Sequence, residues 1–372
     1  MRIVHVSDCY LPRLGGIEQQ VSELAARQQR AGHDVEVITS VGGPPGGGPV
    51  RVHRPSPRPD GSIRYHSSYR SAGFVTSERY DVVHVHLSTW SPLAFLAVRS
   101  GCRAGLPVAA TVHSLWGHVT PLWRGAARAI GWRDWPVAWS AVSGAAAVPV
   151  SGALGPTPVS IVPNGVDPRQ WTLPERPRDP RRVVLASVMR LAPRKRPRQL
   201  LRMLAALRQE VAGQIRLEAV LIGDGPLRTR LAGDAQRLGL ADWVRFTGTL
   251  RRPAIREVYR DSDIYVAPAT LESFGIAALE ARTAGLPVVA QAGTGVADFV
   301  QHGVHGLLAD GDPAMVHALA HLVADPEMRA AISAYNRSRP PESNWSRVLA
   351  DCDALYARAA HLAARPVAMA SP

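Results

Sequence analysis

The chain has 372 residues, 46% hydrophobic and 20% charged, with 43 basic against 30 acidic residues and a net charge of +13. At about 100–200 residues per domain, that length is two domains, conceivably three, with apolar content for ordinary cores. A mini-protein stapled by metal or disulfides and a wholly disordered chain are both excluded. The positive balance favours anionic partners such as phosphate esters, nucleic acid or an acidic membrane surface, without choosing among them.

No stretch approaches the roughly 18 uninterrupted apolar residues of a spanning helix. The start, Met1 to Asp8, lacks the long apolar segment of a signal peptide, so a cytoplasmic location is expected. Cys9, Cys102 and Cys352 are odd in number, far apart and in no paired spacing, and read as reduced thiols. The chain contains a single lysine, Lys195; every other basic residue is arginine, which singles Lys195 out for attention.

In chain order, residues 2–7 form a β-branched apolar run, Asp8 to Gly16 is rich in turn formers, and Ile17, Val21, Leu24, Ala25 and Gln28 recur at helical spacing up to Gly32. Residues 35–39 read as the next strand, which makes a βαβ unit with a right-handed crossover and parallel strands. Residues 82–86 and 108–112 supply further strands. Gly42 to Asp60 is rich in Gly, Pro and Arg and is expected to be a mobile loop without packed structure.

The second half repeats the alternation. Strands are expected at 183–188, 217–222, 244–246, 264–267 and 287–290, with helices at 197–212, 227–238, 254–260 and 276–284. Such a pattern predicts an α/β fold of two doubly wound parallel-sheet domains. The Pro/Gly/Asp-dense segment from Pro163 to Pro180 places the hinge, giving domains at 1–165 and 181–340 with a linker over 166–180. Ligands of open α/β sheets bind beyond the carboxyl ends of the strands, so two domains facing across a hinge would each contribute loops to one cleft.

Several such loops carry candidate chemistry. Gly15 and Gly16 open the first helix, where free backbone amides and the positive helix end favour an anion. They equally serve as a turn, and they do not make the Gly-x-Gly-x-x-Gly dinucleotide fingerprint. Arg190 and Lys195 follow strand 183–188; arginine offers a planar fork and lysine a compact charge, a pair able to grip one diphosphate. Glu272-Ser273-Phe274-Gly275-Ile276 runs into a helix expected to begin near Phe274, with Glu280 eight residues on among apolar neighbours. The amides of Phe274, Gly275 and Ile276 suit phosphate oxygens, whereas the two carboxylates suit sugar hydroxyls. A buried carboxylate without a partner is costly, which points to a bound partner for Glu280. His113 follows strand 108–112. His84 and His86 stand at alternate positions on a strand, one of them expected to be buried. No second His or Cys stands at ligand spacing, and no protein-made metal site is expected.

Taken in order, Gly15-Gly16, Thr111-Val112-His113-Ser114, Val162-Pro163-Asn164-Gly165-Val166-Asp167, Arg190 with Lys195, Gly223-Asp224-Gly225-Pro226, Phe246-Thr247-Gly248, and Glu272 with Glu280 resemble the signatures of retaining GT-B glycosyltransferases of family four. The resemblance spans roughly residues 2–360. It implies a nucleoside-diphosphate sugar as donor and a hydroxyl as acceptor, with no divalent metal or other cofactor, and a front-face mechanism that keeps the anomeric configuration. It further implies that Gly15 and Gly16 let the backbone approach the diphosphate, that Arg190 and Lys195 neutralise it, and that Glu280 holds the ribose. Glu272 would bind sugar hydroxyls, the amides of Phe274, Gly275 and Ile276 would lie close to sugar and phosphates, Leu250 would lie near the base, and His113 would contact the sugar. In such proteins the segment Trp345 to Ala360 crosses back to pack on the first domain. Position 196 departs from the pattern, being arginine where many relatives have glycine.

Alternatives are a nucleotide-sugar epimerase on the same scaffold, separable by acceptor-dependent release of nucleotide, and a basic nucleic-acid-binding module. The latter needs a continuous Arg/aromatic face, whereas here the key cations sit in single loops flanked by acidic motifs, so no nucleic-acid partner is expected. Trp116, Trp123, Trp132, Trp135 and Trp139 lie near Arg124, Arg128 and Arg133. This stretch is readable either as peripheral contact with an anionic membrane or as core and acceptor pocket.

Overall fold

The computed structural model describes residues 1–43, 48–54, 75, 80–175, 177, 179, 181–211 and 215–365. The chain divides into two compact units: Met1–Gly165 together with the residues from Trp345 onward, and Val166–Asn344.

The first unit runs β1 (Arg2–Ser7), α1 (Gly16–Arg30), β2 (Asp34–Thr39), β3 (Arg51–His53), β4 (Val82–Leu87), α2 (Pro92–Arg103), β5 (Val108–Val112), α3 (Thr120–Ile130), β6 (Val137–Ala141), α4 (Gly144–Leu154) and β7 (Val159–Ile161). The second contains α5 (Pro168–Trp171), β8 (Arg182–Val188), α6 (Pro197–Glu210), β9 (Arg216–Ile222), α7 (Arg228–Arg237) and β10 (Val244–Gly248). It continues through α8 (Arg252–Arg260), β11 (Ile264–Ala267), α9 (Ile276–Thr283), β12 (Val288–Gln291), β13 (Gly306–Ala309), α10 (Gly311–Ala324) and α11 (Pro326–Ser338). The last helix, α12 (Trp345–Ala363), belongs to the first unit.

Both sheets are parallel. The first has seven strands in the order β3-β2-β1-β4-β5-β6-β7, the second six in the order β10-β9-β8-β11-β12-β13. In each, the order reverses beside the first strand, between β1 and β4 and between β8 and β11. The two α/β units therefore have the expected doubly wound form. The expectation of an unstructured loop over 42–60 needs correcting: residues 51–53 pair with β2, Val37 opposite Val52, while 44–47 and 55–60 lie outside the described residues. Of the segment 166–180 expected as linker, residues 176, 178 and 180 lie outside the described residues. Asp167 caps α5 by accepting from the Arg169 amide, and Trp171 is buried beside Tyr259.

A parallel sheet is covered on both faces by its crossover helices, so its strands are buried throughout. In the first unit, Val4, Val6, Val83, Val85, Ala110 and Val112 face one layer with α2 and α4, while Ile3, Val35, Val37, Val82, Ala109 and Ala138 face the other. That second layer is closed by Val21 and Leu24 of α1 and by Trp345, Val348, Cys352, Leu355 and Tyr356 of α12. Trp345 also stacks under the Arg27 guanidinium at 4.8 Å and lies so close to Gly165 that a Cβ there would enter the indole. Leu355 is 2% exposed. Leu355→Ala is expected to cost about 2–5 kcal/mol of stability by leaving a cavity under α12, read as a lowered midpoint in urea denaturation.

Candidate functional site

In the second unit, the loops after β8 and β11 flank the point where strand order reverses, the position that open α/β sheets use for ligands. They are tied together below by the Ser187 hydroxyl donating to the Val266 carbonyl at 2.6 Å and the Tyr265 hydroxyl donating to the Val188 carbonyl at 3.2 Å. Above them, Lys195 Nζ meets Glu272 Oε2 at 2.5 Å. The side chains are 25% and 18% exposed, so this pair sits at the mouth of the crevice within reach of a ligand. Arg190, on the same loop as Lys195, is exposed.

The Lys195 loop is held by its neighbour. Arg196 has φ +59, which among the described residues makes it the one non-glycine in the left-handed region. Its guanidinium forks onto Asp312 at 2.9 and 2.8 Å and donates to the Pro268 carbonyl at 3.1 Å. A left-handed backbone, which glycine adopts most easily, is thus taken here by an arginine anchored to Asp312 near the start of α10 and to Pro268 just past β11. Asp312 in turn accepts from Gln291 Nε2 at 3.2 Å.

The helix after Glu272 begins at Ile276, the start expected from the helix and strand pattern and two residues past Phe274. Gly275 is its N-cap at φ +93, with no side chain capping the helix. A Cβ at Gly275 would meet Val296 Cγ2 at 2.7 Å, so glycine is demanded both by backbone angle and by space. The Phe274 side chain is buried against Phe299 with centroids 5.2 Å apart. Glu280, one turn further into α9, is 6% exposed; burial pushes its carboxyl up to about 7 despite Arg252, whose guanidinium lies 3.4 Å away. Arg252 opens α8 two residues after half-buried Leu250. The burial of Glu280 was legible from its apolar neighbours; its partner was not.

In the first unit, Gly15 is the extended N-cap of α1 and Gly16 its exposed first residue. A Cβ on Gly15 would overlap the carboxylate of Glu18, which is 5% exposed and lies 3.4 Å from the Arg13 guanidinium. The chain's own acid therefore already lies beside this helix tip. Asp8, just past β1, accepts from the amides of Leu93 and Ala94 at 3.2 and 3.0 Å and so closes the start of α2; burial pushes it up to about 6.

His113 immediately follows β5 and is buried. The expectation that one of His84 and His86 is buried needs correcting, since both are, at 1% and 2% exposure. Positions two apart on a strand share a face, and that face lies beneath α1 and α12. His5 of β1 joins them, and one ligand atom from each of His5, His84 and His86 falls within 4.8 Å of the others. Spacing along the chain gave no hint of this grouping, because the three come from separate strands. The tryptophans too are interior: Trp116, Trp123, Trp132 and Trp139 are all buried, and Phe95 stacks on Trp132 at 4.7 Å. They form core under α3 and not an aromatic belt for a bilayer. Among the described residues, no helix is long and apolar enough to cross a membrane.

Two doubly wound units, one with a cation–carboxylate pair and a bare helix tip at its switch point, define a GT-B fold. Residues 14–170 match Glycosyltransferase Family 4 and residues 171–339 match Glycosyl transferases group 1. A D-inositol 3-phosphate glycosyltransferase of Geodermatophilus obscurus is 33% identical over 313 residues, covering 76% of this chain and 67% of that protein. One from Actinosynnema mirum is 35% identical over 222 residues, covering 56% of this chain and 53% of that one. The chain spans about half the length of the first curated relatives it matches. Anabaena HepE, solved in complex with UDP and glucose, superposes with a TM-score of 0.74 at 19% identity, covering 95% of this chain and 98% of that one. The chain belongs to the group 1, family four glycosyltransferases.

Arg196 carries a test of the site's scaffold. Arg196→Gly trades the Asp312 fork for relief of left-handed strain, whereas Arg196→Ala loses the fork and keeps the strain. The alanine variant is expected to be less stable than the glycine variant by about 1 kcal/mol, measured by urea denaturation.

Proposed function

We propose that the chain is a retaining glycosyltransferase that moves a sugar from a nucleoside diphosphate to an acceptor hydroxyl. The observation that carries the reading is the Lys195–Glu272 pair at the switch point of the second unit, with the buried Glu280 one helix turn beyond the uncapped start of α9. On donor binding the pair separates. Lys195 and Arg190 turn to the diphosphate, and Glu272 takes hydroxyls of the sugar. The amides at Phe274, Gly275 and Ile276 add donors to oxygens whose charge grows as the bond to the anomeric carbon breaks. Leu250 borders the base, and Glu280 accepts from the ribose diol. With the leaving group neutralised by fixed side chains, the reading needs no divalent metal. The acceptor hydroxyl attacks from the face the diphosphate leaves, and its proton passes to the departing phosphate oxygen. Gly15 and Gly16 are read as backbone at the diphosphate and His113 as a sugar contact.

The relatives' names make D-inositol 3-phosphate the first acceptor to try, and an anionic acceptor suits a chain of net charge +13. A second HepE structure, in complex with UDP-glucose, makes UDP-glucose the first donor to try. A thermal-shift screen against UDP-, GDP-, ADP- and dTDP-sugars is expected to find one donor that raises the melting temperature of the wild type and leaves Lys195→Ala unmoved. An absence of any shift across the panel would count against the reading. Donor turnover without an acceptor-linked product would favour the epimerase instead.

Glu280 gives a second test with a defined sign. Accepting from two hydroxyls favours the ionised carboxylate, so binding must expel a proton from a group that titrates near 7 in the free protein. Nucleotide affinity is expected to rise by up to about tenfold from pH 6 to pH 8. In Glu280→Gln this dependence vanishes, read by isothermal titration at several pH values.

A further inference from the structure

The polar groups beneath α1 and α12 form one continuous chain of hydrogen bonds. His113 Nε2 is 3.0 Å from His86 Nδ1, His86 Nε2 is 2.9 Å from His5 Nδ1, and His5 Nε2 is 2.7 Å from Gln28 Oε1. Gln28 Nε2 lies 2.8 Å from the Tyr356 hydroxyl, which is 2.9 Å from His84 Nδ1. His84 Nε2 is 2.8 Å from Thr111 Oγ1, Thr111 Oγ1 is 2.8 Å from Ser140 Oγ, and Ser140 Oγ is 3.2 Å from the Ala110 carbonyl. All of these side chains are buried.

The far end sets the direction of every bond. A carbonyl can only accept, so Ser140 donates to Ala110 and accepts from Thr111, which accepts from His84 Nε2–H. His84 Nδ1 is then an acceptor and takes the Tyr356 proton, and Tyr356 accepts from the Gln28 amide nitrogen. The remaining Gln28 atom, its carbonyl oxygen, accepts from His5 Nε2–H. By the same rule His5 Nδ1 accepts from His86 Nε2–H and His86 Nδ1 accepts from His113 Nε2–H. Each neutral imidazole has one donor and one acceptor, and the sequence of bonds is consistent at every step.

We propose that this buried relay holds His113 as the neutral Nε2–H tautomer with Nδ1 as an acceptor, and that His86, His5, Gln28 and Tyr356 are positioning residues acting through it. The grouping of His5, His84 and His86 has another reading, as ligands for a metal ion. Each of their ring nitrogens already has a partner in the relay, so metal binding would have to break it. Burial drives the same way as the geometry, disfavouring the charged imidazole at all four positions and lowering His5 and His113 to about 4. His113, His86 and His84 line a small pocket with Gln20, Asn164 and Trp345. If His113 contacts sugar, as the proposed function has it, it receives a hydrogen bond from a substrate hydroxyl and supplies no positive charge. That last consequence rests on the functional reading; the tautomer does not.

The test is long-range ¹H–¹⁵N spectroscopy of the histidines in the labelled full chain at pH 7, without ligand. His5, His84, His86 and His113 are expected to be neutral and protonated on Nε2. Gln28→Leu removes the acceptor three hydrogen bonds from His113 and is expected to move a measurable fraction of its proton to Nδ1. Should that variant fail to fold, Tyr356→Phe, which keeps the ring and removes the hydroxyl fixing the Gln28 amide, is expected to do the same. The proposal is overturned if wild-type His113 is charged or protonated on Nδ1, or if a folded variant leaves its spectrum unchanged. Failure of the glycosyltransferase reading would appear in the donor screen and leave these spectra as expected.

Discussion

Parallel strands cannot be joined by tight turns, so each must be reached by a crossover that packs on one face of the sheet. Most of what matters here follows from that constraint. Successive crossovers in one direction and then the other leave a gap at the reversal, between β8 and β11 and between β1 and β4. Strand ends and helix starts collect at that edge, bringing unpaired amides and side chains from distant parts of the chain into one place. Lys195 and Glu272, 77 residues apart, meet there for this reason.

The same constraint creates the polar seam of the first unit. Central strands buried on both faces are expected to be continuously apolar, yet His5, His84 and His86 break the run on one face. A buried polar group without partners costs free energy, and these are satisfied by Gln28 from α1 and Tyr356 from α12. The C-terminal helix therefore does more than cover apolar surface. It supplies the hydroxyl on which the arrangement of protons turns, and links the last part of the chain to a residue at the carboxyl end of β5.

Charge is used differently in the two units. In the second, cations and carboxylates stand partly exposed at the crevice, where a ligand can exchange with them. In the first, His113 and its histidine neighbours are deep and held neutral by burial, and Asp8 is pushed up to about 6 although three donors face it. In the proposed reaction, the exchangeable pair would neutralise a leaving group and the fixed neutral imidazole would orient a hydroxyl.

Strand positions and the two-unit α/β plan were readable because apolar periodicity and Gly/Pro punctuation are local; β1, β5 and β11 have the expected bounds. The loop positions of Arg190, Lys195 and Glu272 followed from those strands. Local pattern could not reveal that Arg196 would adopt a left-handed backbone and grip Asp312, that Glu280 would face Arg252, or that four of the five tryptophans near arginines would be buried. Each depends on which long-range neighbour arrives. The sequence by itself determined the order of elements and the chemistry available at each strand end, because those depend on residues near one another in the chain. Tertiary structure alone decided which charges pair and on which nitrogen each buried histidine carries its proton, because a hydrogen-bond partner is set by distance in space.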